Sequence, residues 1–296
     1  MSAYESSQQL FEWCKIRPEE LSTHRDSKIK LRILPKPSDV YEDIASTMIE
    51  EVKRNNAANS PTRWILPCGP RGQYPIFTER VNRQRIDLKN LHVFHMDDHL
   101  DWQGRHLPLN HPYSYKGWMS RNFYDCIDPS LNVPLEQRHF PDISKLDAMA
   151  EGMEQVGGID PVYGGIGYRG HIAFNEPPRS PWYRVSKEEF RNCTTRILHL
   201  NEDTLIALSQ RGAGGCSDVI PPMVITVGMR ELLGTANSAL QRNGCVETNR
   251  YPHSLIWQCQ PGDSCDLCPG TQRLRRDGGC CDGSLPAAGH ITKRGV

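Results

Sequence analysis

Between Val162 and Pro178 the chain reads VYGGIGYRGHIAFNEPP, and few architectures accommodate such a stretch. Glycines at 164, 165, 167 and 170 require a backbone that turns sharply and lets another molecule approach closely. A β-branched and an aromatic residue lead in, so a strand over 161–165 is predicted to empty into a loop. Ligands of open α/β sheets bind at such carboxyl ends of strands. His171 and Glu176 follow, an imidazole that titrates near neutrality and a carboxylate able to orient it. This combination marks a candidate active-site loop.

The same stretch matches G-x-G-x-x-G over Gly165, Gly167 and Gly170, the dinucleotide-binding fingerprint. That fingerprint needs a helix starting inside the motif, and HIAFNEPP lacks a helical period and ends in two prolines. A nucleotide site is therefore not expected.

Acidic and basic residues number 35 each, so no global field favours nucleic acid or an anionic membrane. No apolar run approaches the roughly 18–20 residues of a membrane span. The opening MSAYESSQQLFEWCK lacks the basic and apolar regions of a signal peptide, and a cytoplasmic protein is expected. The chain length allows one large α/β domain or two small ones, and a single domain is placed at 1–258.

Helix and strand patterns alternate along the chain. A helical segment is predicted near 8–15 and a strand at 28–34. Val40, Ile44, Met48 and Val52 recur every four residues, predicting a helix over 38–55 capped by Ser38. A strand at 63–66 runs into Pro67-Cys68-Gly69-Pro70-Arg71-Gly72, which suits either a phosphate cradle or an ordinary βα turn. Leu91, Val93, Phe94 and Met96 read as a strand buried on both faces that ends in Asp97 and Asp98. Acids at the end of a buried strand need work or partners there, and capping of the next turn is the plainer use of Asp98. His92, His95, Asp97, Asp98 and His99 are clustered, but strand alternation splits them between faces, so no metal site is expected.

Further helices are expected at 116–126, with Trp118, Phe123 and Cys126 buried, and at 146–156, 202–211 and 229–233, with Asn201 as a cap. Strands are expected at 194–200, 222–227 and 252–258. The alternation implies an α/β fold with a doubly wound, mostly parallel open sheet and helices on both faces.

Three constellations occur in order: Phe94-His-Met96-Asp97-Asp98; His111-Pro112-Tyr-Ser114-Tyr115; and Gly164-Gly-Ile-Gly-Tyr-Arg-Gly170-His-Ile-Ala-Phe-Asn-Glu-Pro177. Together they resemble the glucosamine-6-phosphate deaminase/isomerase family over about residues 38–235, most specifically at GHIAFNEP. Pro222-Met-Val224-Ile-Thr226-Val-Gly228-Met is similar to a later strand and turn of that family. The resemblance implies a Rossmann-like sugar-phosphate isomerase fold, conversion of glucosamine 6-phosphate and water to fructose 6-phosphate and ammonium, and no cofactor. It implies Asp97 as the proton-transfer base, His171 in ring opening and Glu176 holding its imidazole. Substrate contacts are expected from Gly69, Arg71, Gly72, Asp98, Gly165, Gly167, Arg169, Gly170 and Arg211. The partner implied is a small sugar phosphate, with no nucleic acid and no membrane; a homo-oligomer is compatible with the sequence.

The chain departs from the family pattern in three places. Arg169 stands where the family has an aspartate, which suggests a contact to an anionic substrate group. Arg71, in a turn without the family's glycine-threonine pattern, offers phosphate a guanidinium in place of backbone donors. No lysine lies between Lys187 and Lys293, so the family's phosphate-binding lysine has no counterpart. A lactonase on the same scaffold, with His171 activating water, and a catalytically silent sugar-phosphate binder are the alternatives.

Five of the 11 cysteines fall within 259–296. Cys265-Asp-Leu-Cys268 with Cys280-Cys281 fits the spacing of a zinc ribbon poorly, and a disordered extension is expected there. The other six are scattered singly, as in a reduced cytosolic protein.

Overall fold

The computed structural model describes residues 36–167, 171–178 and 184–234, with Trp182 and scattered positions between 12 and 34. The expectations for most of 28–34 and of 8–15, and for 252–258 and the cysteine-rich 259–296, lie outside the described residues, as do Arg169 and Gly170.

Val40, Ile44, Met48 and Val52 form the buried stripe of α1 (Pro37–Ala57). Pro37 occupies the first turn, where its missing N–H has no helical partner to lose. Ser38, expected as the cap, lies inside that turn and hydrogen-bonds Asp39 at 3.3 Å, while Lys36 holds the cap position.

The remaining elements follow as β1 (Thr62–Leu66), α2 (Gln73–Gln84), β2 (Leu91–His95), β3 (Asp97–Leu100), α3 (Tyr115–Asn122), β4 (Arg138–His139) and α4 (Ala148–Gln155). After the glycine loop come α5 (Lys187–Arg191), β5 (Arg196–His199), α6 (Glu202–Gly212), β6 (Met223–Thr226) and α7 (Met229–Gly234). The helix expected over 116–126 ends at Asn122 and continues as a 3-10 turn, Tyr124–Cys126. Phe123 and Tyr124 are buried there, but Cys126 is exposed because the change of helical pitch rotates it to the surface.

β1, β2 and β4 pair in parallel, in the order β1-β2-β4. Period-two alternation sends Trp64 and Leu66 to one face, among Met48, Tyr74 and Phe77. Ile65 and Phe94 go to the other, among Met149, Met153 and Leu232. Helices therefore cover both faces, as in an open, doubly wound α/β sheet. Each large side chain so buried contributes about 1.5–3 kcal/mol. Arg63 clamps the start of β1 to the segment after α4, with its Nη2 2.9 Å and Nε 3.1 Å from the Asp160 carboxylate.

The stretch expected as a strand at 161–165 meets β1 in a single parallel bridge, Ile65 to Val162. Pro161 has no N–H to donate, and Gly164 and Gly165 bring no side chain to pack, so the ladder stops. Tyr163 still anchors it, its hydroxyl donating at 3.0 Å to the same Glu51 oxygen that Trp64 Nε1 reaches at 2.9 Å. Burial raises the Glu51 pKa to about 7 against those two donors.

A second sheet, β3-β6-β5, is antiparallel. Met96 is where the chain changes sheets. Its N–H donates to Leu66 O at 2.9 Å, closing the parallel ladder, and its carbonyl accepts from Val227 N at 2.9 Å. The segment read from sequence as one strand over 91–99 is thus two, with the paired aspartates opening the second.

Candidate active site

Asp97 follows the Met96 hinge directly and pairs across the antiparallel ladder with Thr226. It is 8% exposed. Burial first, and the neighbouring Asp98 charge second, raise its pKa to about 8; among the described residues no donor or cation offsets either effect. An acid this poorly solvated and unpaired has the environment of a functional proton carrier.

Asp98 has a different occupation. Its Oδ1 accepts from Tyr115 N at 2.7 Å and His99 N at 2.9 Å, and its Oδ2 from Lys116 N at 3.4 Å. It therefore caps α3 from outside the helix, with both oxygens accepting from backbone N–H groups. Ser114 adds the local cap, accepting from Gly117 N at 3.1 Å. Tyr115 is brought beside Asp97 by this arrangement, its hydroxyl pKa raised by burial and then by the Asp97 charge. His99 lies among Tyr113, Tyr115 and Phe174, its Nε2 3.3 Å from the Tyr115 hydroxyl. Among the described residues no three His, Cys, Asp or Glu side chains gather as metal ligands. His95 turns instead to the Tyr124 hydroxyl, at 2.8 Å.

The glycine loop folds against the same hinge. A Cβ at Gly164 would lie 3.2 Å from Met96 Cε, and one at Gly165 would lie 3.6 Å from Pro70 Cδ. The turns after β1 and β2 and the glycine loop thus meet. Gly167 N donates to His171 O at 2.8 Å, and Ile166 bridges Ile172, closing the loop's neck. The imidazole lies directly over Gly167, where a Cβ would come within 1.9 Å of Nε2.

Beyond His171 the chain makes a tight turn, with Asn175 N donating to Ile172 O at 3.1 Å and Ala173 at φ 55°. A non-glycine residue is held in the left-handed region only when its surroundings dictate it. Here they do. Phe174 N donates to Thr226 Oγ1 at 3.1 Å, and Asn175 Nδ2 donates to Val227 O at 2.8 Å. Asn175 Oδ1 accepts from Arg196 Nη1 at 2.6 Å. The loop is thereby tied to the strand that pairs with Asp97.

His171 Nδ1 lies 3.3 Å from Glu176 Oε1. The distance is that of an ion pair, but the alignment misses a hydrogen bond, and Nδ1 is buried without one. Burial lowers the His171 pKa first, the Glu176 and Asp203 charges oppose that, and the Arg211 charge adds to it. Arg211, on α6, is therefore near His171 and positively charged.

Of the phosphate-turn residues, Arg71 lies over the Trp118 ring, its guanidinium carbon 4.5 Å from the centroid, with Nη2 3.5 Å from Cys68 Sγ. Gly72 is the N-cap of α2, where a Cβ would run into the Tyr41 ring, and Gly69 is exposed with open space around it. Asn175 and Thr226 lie within the stretches that carry the family resemblance, but nothing in the sequence showed that they fasten the loop, because their partners are distant in the chain.

Fold and site define the class first: an open α/β protein whose polar, titratable residues collect at the carboxyl ends of its parallel strands. No protein-family model matches the chain. It is 33% identical to glucosamine-6-phosphate deaminase of Cronobacter sakazakii over 210 residues, 69% of this chain and 73% of the relative. It is 30% identical to the enzyme of that name from Borrelia garinii subsp. bavariensis over 234 residues, 76% and 81% of the two chains. A solved structure of a monomeric glucosamine-6-phosphate deaminase shares the fold, with TM-score 0.50 and 22% identity over 65% of this chain and 75% of that one. The chain belongs to the glucosamine-6-phosphate deaminase family, a family of enzymes.

Proposed function

We propose that the protein converts glucosamine 6-phosphate and water to fructose 6-phosphate and ammonium. In this reading His171, oriented by Glu176, takes the anomeric hydroxyl proton and delivers one to the ring oxygen, exposing the C1 aldehyde. The aldehyde acidifies the C2 proton. Asp97 removes it and returns it to C1, while the C2 ammonium group gives one proton to the C1 oxygen. C1 is thereby reduced to the alcohol and C2 oxidised to an iminium, which water hydrolyses to the ketone and ammonium. Arg211 is the candidate cation for the phosphate; Asp98 is left out of the substrate contacts because it caps α3.

The observation that carries this reading is the state of Asp97. A buried carboxyl with a pKa of about 8 and, among the described residues, no cation beside it favours a positively charged ligand, which would ionise it. An amino sugar brings that charge, and a neutral sugar does not. Membership of the deaminase family supports the same choice.

The test is ammonium release from glucosamine 6-phosphate by the full chain. Asp97→Asn is expected to lower kcat by about 10²–10⁴-fold, the range for a lost general base. Because kcat/KM reports the free enzyme, it should rise with pH through about 8, where Asp97 is half ionised, and level off above it. Release that survives in Asp97→Asn, or is absent from the native chain, overturns the reading.

A further inference from the structure

The Glu176 oxygen that faces His171 is shared. Oε1 lies 3.3 Å from His171 Nδ1 and also accepts a short hydrogen bond from the Thr204 hydroxyl. Oε2 accepts from Asn201 N at 2.9 Å. Asn201 is the N-cap of α6, yet its side chain makes no capping bond; its Nδ2 lies 3.4 Å from Pro177 O. The Glu176 carboxylate therefore serves as the acceptor at the start of α6, gripped by one backbone and one side-chain donor. Glu176 is 6% exposed and Thr204 3%, so water does not substitute readily for either donor.

We infer that Thr204 is a positioning residue, whose hydroxyl holds Glu176 Oε1 in place and sets how strongly that oxygen draws the His171 imidazole. The hydroxyl takes part of the carboxylate's charge into its own hydrogen bond. Without it, the full charge of Oε1 acts on Nδ1 and favours imidazolium over imidazole. Among the described residues three charged groups face the ring: Glu176 from the loop, and Asp203 and Arg211 from α6. Replacing Thr204 leaves all three in the chain, so a change in His171 reports the hydroxyl. The kinetic consequence rests on the proposed ring-opening role of the His171–Glu176 pair; the electrostatic one does not.

The experiment is an NMR titration of the His171 ring in the full chain, its signal assigned by difference against His171→Gln. Thr204→Val, which keeps the shape and drops the hydroxyl, is expected to raise the His171 pKa by about half a unit to one unit, while Thr204→Ser keeps the native value. In the ammonium-release assay, kcat of Thr204→Val should fall about 10-fold with KM little changed, in line with losing one hydrogen bond to a charged group, and Ser should restore it. A native titration in Thr204→Val, or an equal shift in Thr204→Ser, overturns the inference. If the Val variant does not fold, Thr204→Ala gives the same comparison against Ser. Should the native chain release no ammonium, the proposed function fails and the titration still decides the role of Thr204.

Discussion

At Gly167 a single methyl group would decide whether the site can form. Its Cβ would sit 1.9 Å from His171 Nε2, so the imidazole must move or the neck between Ile166 and Ile172 must open. Gly167→Ala is expected to cost about 10²-fold in ammonium release, the scale for misplacing a reacting group by an ångström, with a melting temperature near the native one. Native kinetics in that variant would mean the ring has room elsewhere. The glycine was legible in the sequence, but its reason was not. Four glycines in seven positions predict close approach of something, and only the folded chain identifies that neighbour as the chain's own histidine. Asp97 has a linked signature in stability. Its folded pKa of about 8 lies above the ordinary carboxylate value of 3.8, so its contribution is complete below about pH 4 and is lost as pH rises toward 8.

Among the elements, α3 depends most on a residue outside itself. Asp98 supplies acceptors for the N–H groups of Tyr115 and Lys116 and so fixes where the helix begins. Asp98→Ala leaves those donors without their acceptor and is expected to destabilise the fold by about 1–3 kcal/mol, measured by denaturant unfolding. Loss of activity without loss of stability would return Asp98 to the substrate contacts. The plain use of this aspartate as a cap was readable from its residue type. Its target was not, because the helix it caps begins 17 residues later. For the same reason β2 and β3 read as one strand: nothing local to Met96 announces that its N–H and C=O pair with different sheets.

On the scale of the whole molecule, the parallel sheet and the antiparallel sheet meet at Met96 and Val227, and the glycine loop is fastened across that seam by Asn175. This side chain is 1% exposed and bonds to Ile172, Val227 and Arg196. Asn175→Ala should therefore cost about 3 kcal/mol or more, since several buried groups lose their partner together, and should lower ammonium release beyond what the stability change explains. A variant with native stability and activity would show that the seam is held elsewhere. By itself the sequence determined the periodicities of α1, β1, β2, α6 and β6, the α/β class they imply, and the glycine-histidine-glutamate loop, because these are properties of neighbouring residues and their spacing. Tertiary structure alone decided that residues 97–100 enter a second, antiparallel sheet, that Asp98 caps α3, and that Thr204 grips Glu176. Those outcomes depend on which distant groups, backbone or hydroxyl, find their hydrogen-bond partners only in the assembled fold.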